Sequence, residues 1–218
     1  MTNVCRLYLR LDAVYGPQHW WPAKSVFEVV AGAVLTQNTS WRNVEKALVN
    51  LRKVRAMSPG RILGLPFEEL AALIYPSGFY RVKTQRLRAV CAWLEDNGGS
   101  RQLAMLPTDE LRASLLSVHG VGAETADAIL LYAFQRPVFV VDAYARRLFS
   151  RVGIIRGPES YDDIRAIVES EMDGSAPDFN EFHALIVEHG KRTCRKKPRC
   201  GNCRIRGCCN YPSRGSEQ

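Results

Sequence analysis

Two sets of residues in this chain have the types and spacing for chemistry. The first is one acid. Asp142 follows the apolar run Pro137-Val138-Phe139-Val140-Val141 and stands just before Ala143 to Phe149, a stretch with helical spacing. A carboxylate at that point accepts a backbone N–H and caps the helix. Capping alone accounts for the acid adequately. The second set is a run of cysteines. Of seven in the chain, five lie near the C-terminal end, and Cys194, Cys200, Cys203 and Cys209 are separated by five, two and five residues. In a cytosolic chain this pattern points to metal thiolates rather than disulfides. On chemistry alone, zinc and a [4Fe–4S] cluster both suit four thiolates in so short a loop. Cys5 and Cys91 fall on helical faces and are expected to be buried.

A third pattern lies just upstream of the acid. Leu111, Leu115, Leu116 and Val118 make an apolar face at helical spacing, Gly120-Val121-Gly122 breaks it, and Ala126, Ile129, Leu130 and Ala133 resume it. Glycines on both sides of the turn let the backbone bend tightly and come close to a partner. The N–H groups of Gly122 and Ala123 then open a helix with no bulky side chain in front of them, which is an anion site suited to phosphate. An ordinary helix–turn–helix corner accounts for the glycines equally well.

The elements that must position these residues read as helices. Residues 1 to 15 form a short helix closed by Gly16-Pro17, and Gln18-His19-Trp20-Trp21-Pro22 is a loop with adjacent tryptophans. These rings either cover a seam or form a flat aromatic wall for a ligand. Ser25 to Leu35 is a strongly apolar helix; Thr36-Gln37-Asn38-Thr39-Ser40 is a polar turn; Trp41 to Leu51 is the next helix, capped by Thr39 or Ser40. Prolines at 59, 66 and 76 separate short helices, and Gly78-Phe79 precedes an amphipathic helix from Arg81 to Glu95. Leu106-Pro107-Thr108 starts the helix leading into the glycine turn. Helices over 161–172 and 178–189 follow the acid, and Gly190 is expected to stop the last one.

The chain has 218 residues, 46% of them hydrophobic, enough for one large or two small domains. Its net charge of +8 is not spread evenly. Nine basic and no acidic residues lie between Gly190 and Ser216, so the rest of the chain holds 21 basic against 22 acidic residues. A basic patch of this kind suits phosphate. No stretch has the length of a signal-peptide core or a membrane span, so the expected location is the cytoplasm, at the nucleoid.

Hairpin, helix, extended link and Val-Asp at a helix start, in this order and spacing, resemble the helix-hairpin-helix DNA glycosylases of the endonuclease III superfamily. The likeness runs from about Trp20 to Tyr211. It implies an all-α fold of two helical domains: a bundle of about six helices over 25–134, and a second domain of 1–24 with 135–218, with DNA in the cleft between them. It implies that Asp142 is catalytic and that Gly120, Val121, Gly122 and Ala123 hold the backbone of double-stranded DNA. Gln37 matches the residue that enters the gap left by the extruded base, and Phe79 the wedge on the opposite strand. Arg81, Lys83, Arg86 and Arg88 then accompany Phe79 with phosphate contacts. The tail with Lys-Pro-Arg-Cys-Gly at 197–201 resembles an iron–sulfur loop, making [4Fe–4S] the expected cofactor, ligated by Cys194, Cys200, Cys203 and Cys209 with Cys208 spare. The first gap departs from the family, with five residues where six are usual. Lys196, Lys197 and Arg199 are then offered to phosphates.

Bifunctional members of the superfamily carry a lysine two residues after the second hairpin glycine. Here that residue is Glu124, which cannot form a Schiff base, so a monofunctional enzyme is expected. Glu124 and its neighbours, Trp20-Trp21-Pro22 and Gly32 to Thr39, look most like the 3-methyladenine DNA glycosylase III branch, in which aromatic residues matching Trp20 and Trp41 sandwich an alkylated base. That branch's best-known member lacks the cysteines. The expected activity is therefore removal of an alkylated purine by a monomer on DNA. The alternatives are a glycosylase for mismatched thymine or uracil or for oxidised pyrimidines, a non-catalytic DNA-binding module stiffened by metal, and a structural zinc protein.

Overall fold

The structure is a computed structural model, which describes residues 1–20 and 25–211. Trp21 lies outside the described residues. Every regular element among them is helical. The chain divides into two compact units, Trp21–Arg136 and Met1–Trp20 with Pro137–Gln218.

The first of these units contains α2 (Val26–Leu35), α3 (Trp41–Lys53), α4 (Pro59–Gly64), α5 (Phe67–Ile74), α6 (Tyr80–Asp96), α7 (Gly99–Leu103), α8 (Thr108–Leu116) and α9 (Ala123–Phe134), with one 3-10 turn at Tyr75–Ser77. Helices α4 and α7 are single short pieces of six and five residues, set off by the prolines and the Gly98-Gly99 pair. The other six carry the bundle. Helix α2 is buried on all sides, from Phe27 to Leu35, as expected of a helix that is apolar all round. It packs against α9, α6 and α3, while α8 packs on α9. Two buried carboxylates in this unit are paired: Glu28 meets Arg52, and Asp127 receives Arg112 at 2.7 and 3.2 Å. A buried carboxylate without such a partner would be neutralised or destabilising.

The second unit holds α1 (Asn3–Tyr15), α10 (Ala143–Val152), α11 (Tyr161–Met172) and α12 (Ala176–Arg192), followed by the cysteine loop. Val4, Leu7 and Leu11 of α1 are buried, and α1 packs on α11 and α12. The centre is aromatic. Phe139 lies 5.5 Å from Phe182 and 5.9 Å from Phe149, ring centre to ring centre. The extended link through Val141 is thus a core strut as well as a connection.

The C-terminal end of α12 differs from the sequence expectation. The helix does not stop at Gly190 but continues to Arg192. Gly190 is there for closeness: a Cβ on it would fall 2.3 Å from the Tyr144 ring of α10. Cys5 also departs from expectation. It is only half-buried, and its thiol donates to the Glu171 carbonyl at 3.3 Å, whereas Cys91 is fully buried.

Candidate active site and nucleic-acid interface

Asp142 caps α10. Its backbone is extended, and Oδ1 accepts the Ala145 N–H at 2.7 Å. The other oxygen faces inward, 3.6 Å from Nε2 of His183. The side chain is 15% exposed. Burial by itself would raise the Asp142 pKa, but His183 and the Ala145 and Tyr144 amides outweigh it and hold the carboxyl below its ordinary value. His183 is buried on α12 between Trp20, at 5.5 Å, and Phe139, at 6.2 Å and nearly edge-on. The Lys191 ammonium stands 5.7 Å from the centre of the Trp20 ring. Asp142, His183 and Trp20 therefore form one constellation. His183 was not among the sequence candidates, although one signal was available: it sits at helical spacing within the apolar face of Phe179, Phe182 and Ile186.

The glycine turn is the second site. Val121 donates to the Val118 carbonyl at 3.0 Å, and both valines are buried. Gly120 has φ +83, and a Cβ there would lie 2.3 Å from Cγ of Arg86. It is required both for its backbone angle and for its lack of a side chain. Gly122 is extended and precedes α9 with no side-chain cap, and a Cβ on it would meet nothing within 4 Å. Gly120→Ala is therefore expected to lower stability by about 1–3 kcal/mol, with Gly122→Ala close to neutral; thermal denaturation of the two variants distinguishes them. Glu124 is exposed in the first turn of α9.

Gln37 does not project outward. Its Nε2 donates to the Gly120 carbonyl and to Thr125 Oγ1, both at 3.0 Å, while Oε1 accepts from Arg86. The amide is committed to holding the glycine turn. The next residue, Asn38, is exposed and left-handed at φ +54, a conformation that asparagine tolerates. Trp41 opens α3 just beyond this loop and is half-buried.

Phe79 is 70% exposed in front of α6, with φ +45. The four cations expected to accompany it do not do so as a group. Lys83 is contradicted outright: it is 1% exposed. Its ammonium donates to the Leu35 carbonyl at 2.8 Å and the Ser77 carbonyl at 2.6 Å. It shares the buried stripe of α6 with Leu87, Val90, Cys91 and Leu94. Burial, with the nearby Arg86 charge, pushes its pKa down to about 8. Arg81 pairs with Glu68 at 2.6 Å, Arg86 is bound to Gln37, and Arg88 donates to the Leu65 carbonyl.

In the C-terminal loop, Cys194, Cys200, Cys203 and Cys209 line one small cavity with Leu148, Pro198 and Ile205. Cys208 instead borders a different depression beside Asn3 and Arg6. Among the described residues no three His, Cys, Asp or Glu side chains are grouped to hold a metal ion. Arg151 organises the loop, donating to Cys194 Sγ at 3.1 Å and to the Arg195 and Lys196 carbonyls. Lys196, Lys197 and Arg199 are exposed.

The sequence profile described as HhH-GPD superfamily base excision DNA repair protein matches residues 31–172. The chain belongs to the HhH-GPD superfamily. Among relatives of this HhH-GPD protein is one from Methanocaldococcus jannaschii named, by inference, as a DNA repair glycosylase. The two are 47% identical over 210 residues, which is 94% of this chain and 95% of the relative. The H. pylori 3-methyladenine DNA glycosylase, solved with bound 1,N6-ethenoadenine, superposes with a TM-score of 0.74 at 29% identity, covering 88% of this chain and 98% of that one. A non-covalent endonuclease III–DNA complex gives a TM-score of 0.82 at 23% identity, covering 98% of both chains, and so shares the fold. The HhH-GPD protein is thus a DNA glycosylase of base excision repair with the endonuclease III-like all-α fold.

Proposed function

We propose that the protein releases an alkylated purine of the 3-methyladenine type from double-stranded DNA by hydrolysis, without cleaving the strand. The observation that carries this reading is Asp142: an inward carboxylate held in its charged form beside His183 and Trp20. As the bond from C1′ to the base nitrogen breaks, its electron pair leaves with the base. The Asp142 carboxylate stabilises the positive charge left on the sugar. Water then adds at C1′ and loses a proton. A base methylated on a ring nitrogen is already cationic and departs neutral, so no acid is needed to protonate it. Trp20 offers such a base a flat surface, with cation–π attraction of about 0.5–2 kcal/mol; Trp41 is the second aromatic residue assigned to the base. The 29% identity with a 3-methyladenine glycosylase supports this substrate class.

The exposed carboxylate of Glu124 cannot form an imine with the sugar, which supports a monofunctional enzyme. The Gly120–Ala123 turn is assigned to the DNA backbone and Phe79 to the wedge. Because the Gln37 amide is occupied within the protein, Asn38 at the tip of the same loop is the better candidate to enter the vacated stack.

Four thiols of this spacing are the donors a [4Fe–4S] cluster uses, and that is the group assigned to the loop. What supports it is that four cysteines border one cavity while a fifth is left outside. Cys194, Cys200, Cys203 and Cys209 would hold it, and the cluster would supply covalent cross-linking to a loop too small to have a core. Arg151 and the loop backbone then present Lys196, Lys197 and Arg199 to phosphates.

The test is base release from methylated duplex DNA, with strand breaks scored before and after alkali. Freed 3-methyladenine with breaks only after alkali is the expected result. Release of thymine, uracil or oxidised pyrimidine in its place would reassign the substrate, and breaks without alkali would remove the monofunctional reading.

A further inference from the structure

Lys83 is among the largest fully buried side chains of the described residues, and its role is not explained by phosphate binding. Its two acceptors belong to different loops. The Leu35 carbonyl is at the C-terminal end of α2, directly before the Thr36–Ser40 loop that carries Asn38. The Ser77 carbonyl is two residues before Phe79. One ammonium therefore fixes the bases of both loops at 2.8 and 2.6 Å. Both carbonyls need a donor. The last carbonyls of a helix have no partner within it, and a cation there also meets the negative end of the helix dipole. With its pKa near 8, Lys83 remains predominantly charged at neutral pH and so keeps its donors.

The loops themselves are constrained. Asn38 and Phe79 are exposed, non-glycine and left-handed, at φ +54 and +45. Asparagine tolerates this conformation, but for phenylalanine it persists only where the surroundings enforce it. Beside Phe79, Ser77 Oγ donates to the Ile74 carbonyl, the Lys83 ammonium to the Ser77 carbonyl, and the Lys83 backbone N–H to the Phe79 carbonyl at 3.0 Å. A surface role for this chain segment needs no buried charge, and burying one is costly unless something depends on it.

We propose that Lys83 is a positioning residue that couples the Asn38 and Phe79 loops, so that the two enter damaged DNA as one unit. This rests on the assignment of both loops to the duplex in the proposed function. The coupling is local: it acts through backbone carbonyls, not through contact with DNA.

The test measures the affinity of wild type and Lys83→Met for two duplexes, one intact and one holding a stable abasic analogue. Wild type should prefer the abasic duplex. Lys83→Met should lose at least about tenfold of that preference, the scale of a broken charged hydrogen-bond pair, while holding intact DNA as before. Emission of 2-aminopurine placed opposite the abasic site, which reports unstacking, should fall in parallel. Preference retained in Lys83→Met, or affinity for both duplexes lost equally, overturns the coupling. Should the variant fail to fold, a cycle with Asn38→Ala and Phe79→Ala in the otherwise native chain decides the matter. A departure from additivity of at least about threefold supports the clamp; strict additivity overturns it. Absence of any abasic preference in wild type would instead defeat the functional reading, and the clamp with it.

Discussion

Asp142→Asn leaves the protein folded and lowers base release by about 10²–10⁴-fold, the range expected when a positioned charge or base is removed from the reacting centre. The fold survives because asparagine caps a helix as well as aspartate does, so the bond from the Ala145 N–H is kept. What disappears is the negative charge facing His183. Single-turnover release from methylated DNA, with circular dichroism as the folding control, measures both halves of the expectation. Equal release by the variant would remove Asp142 from the chemistry.

The same acid sets a pH dependence. Its folded pKa lies below the ordinary carboxylate value, with burial opposing the shift and His183 and two amides producing it. The stability it contributes is present above the unfolded pKa and is lost as pH falls through the folded one. Activity that requires the charged form thus persists through the usual carboxylate range on acidification. In His183→Gln the acid limb of the rate profile should move upward in pH, because a main cause of the shift has been removed.

The second large effect concerns the cysteine loop. Cys203→Ser should abolish cluster absorbance and release the loop that displays Lys196, Lys197 and Arg199. With three phosphate contacts withdrawn, the slope of log affinity against log salt should fall by about 2–3. Cys208→Ser, outside the cavity, should leave both absorbance and slope unchanged. Absorbance lost in the Cys208 variant and kept in the Cys203 variant would mean that the ligand set is wrong.

Some of this was legible in the residues alone. Gly120-Val121-Gly122 between two apolar periodicities marks the turn, and at Gly120 both the backbone angle and the closeness of Arg86 favour glycine. Val141-Asp142 marked a helix start, since a capping acid after an extended run is a local signal. The cysteine spacing identified four residues that border one cavity. Long-range partners were not legible. Gln37 reads only as part of a polar turn, because its partners, Gly120, Thr125 and Arg86, are distant in sequence. Lys83 was grouped with neighbouring cations by charge, although its spacing to Leu87, Val90, Cys91 and Leu94 already placed it on the inner stripe. Gly190 reads as a helix stop in the sequence because glycine often ends helices, and only packing reveals its other use.

That packing has a consequence for the acid. Helices α10 and α12 meet where the Gly190 backbone lies against the Tyr144 ring, with no space for a methyl group. Tyr144 is two residues beyond Asp142, and His183 is two helical turns before Gly190. The backbone separation from which the carboxylate and the imidazole reach toward each other is therefore limited by a hard stop between two helices. A side chain at position 190 would push the two helices apart and so shift the carboxylate of Asp142 relative to His183, although residue 190 touches neither.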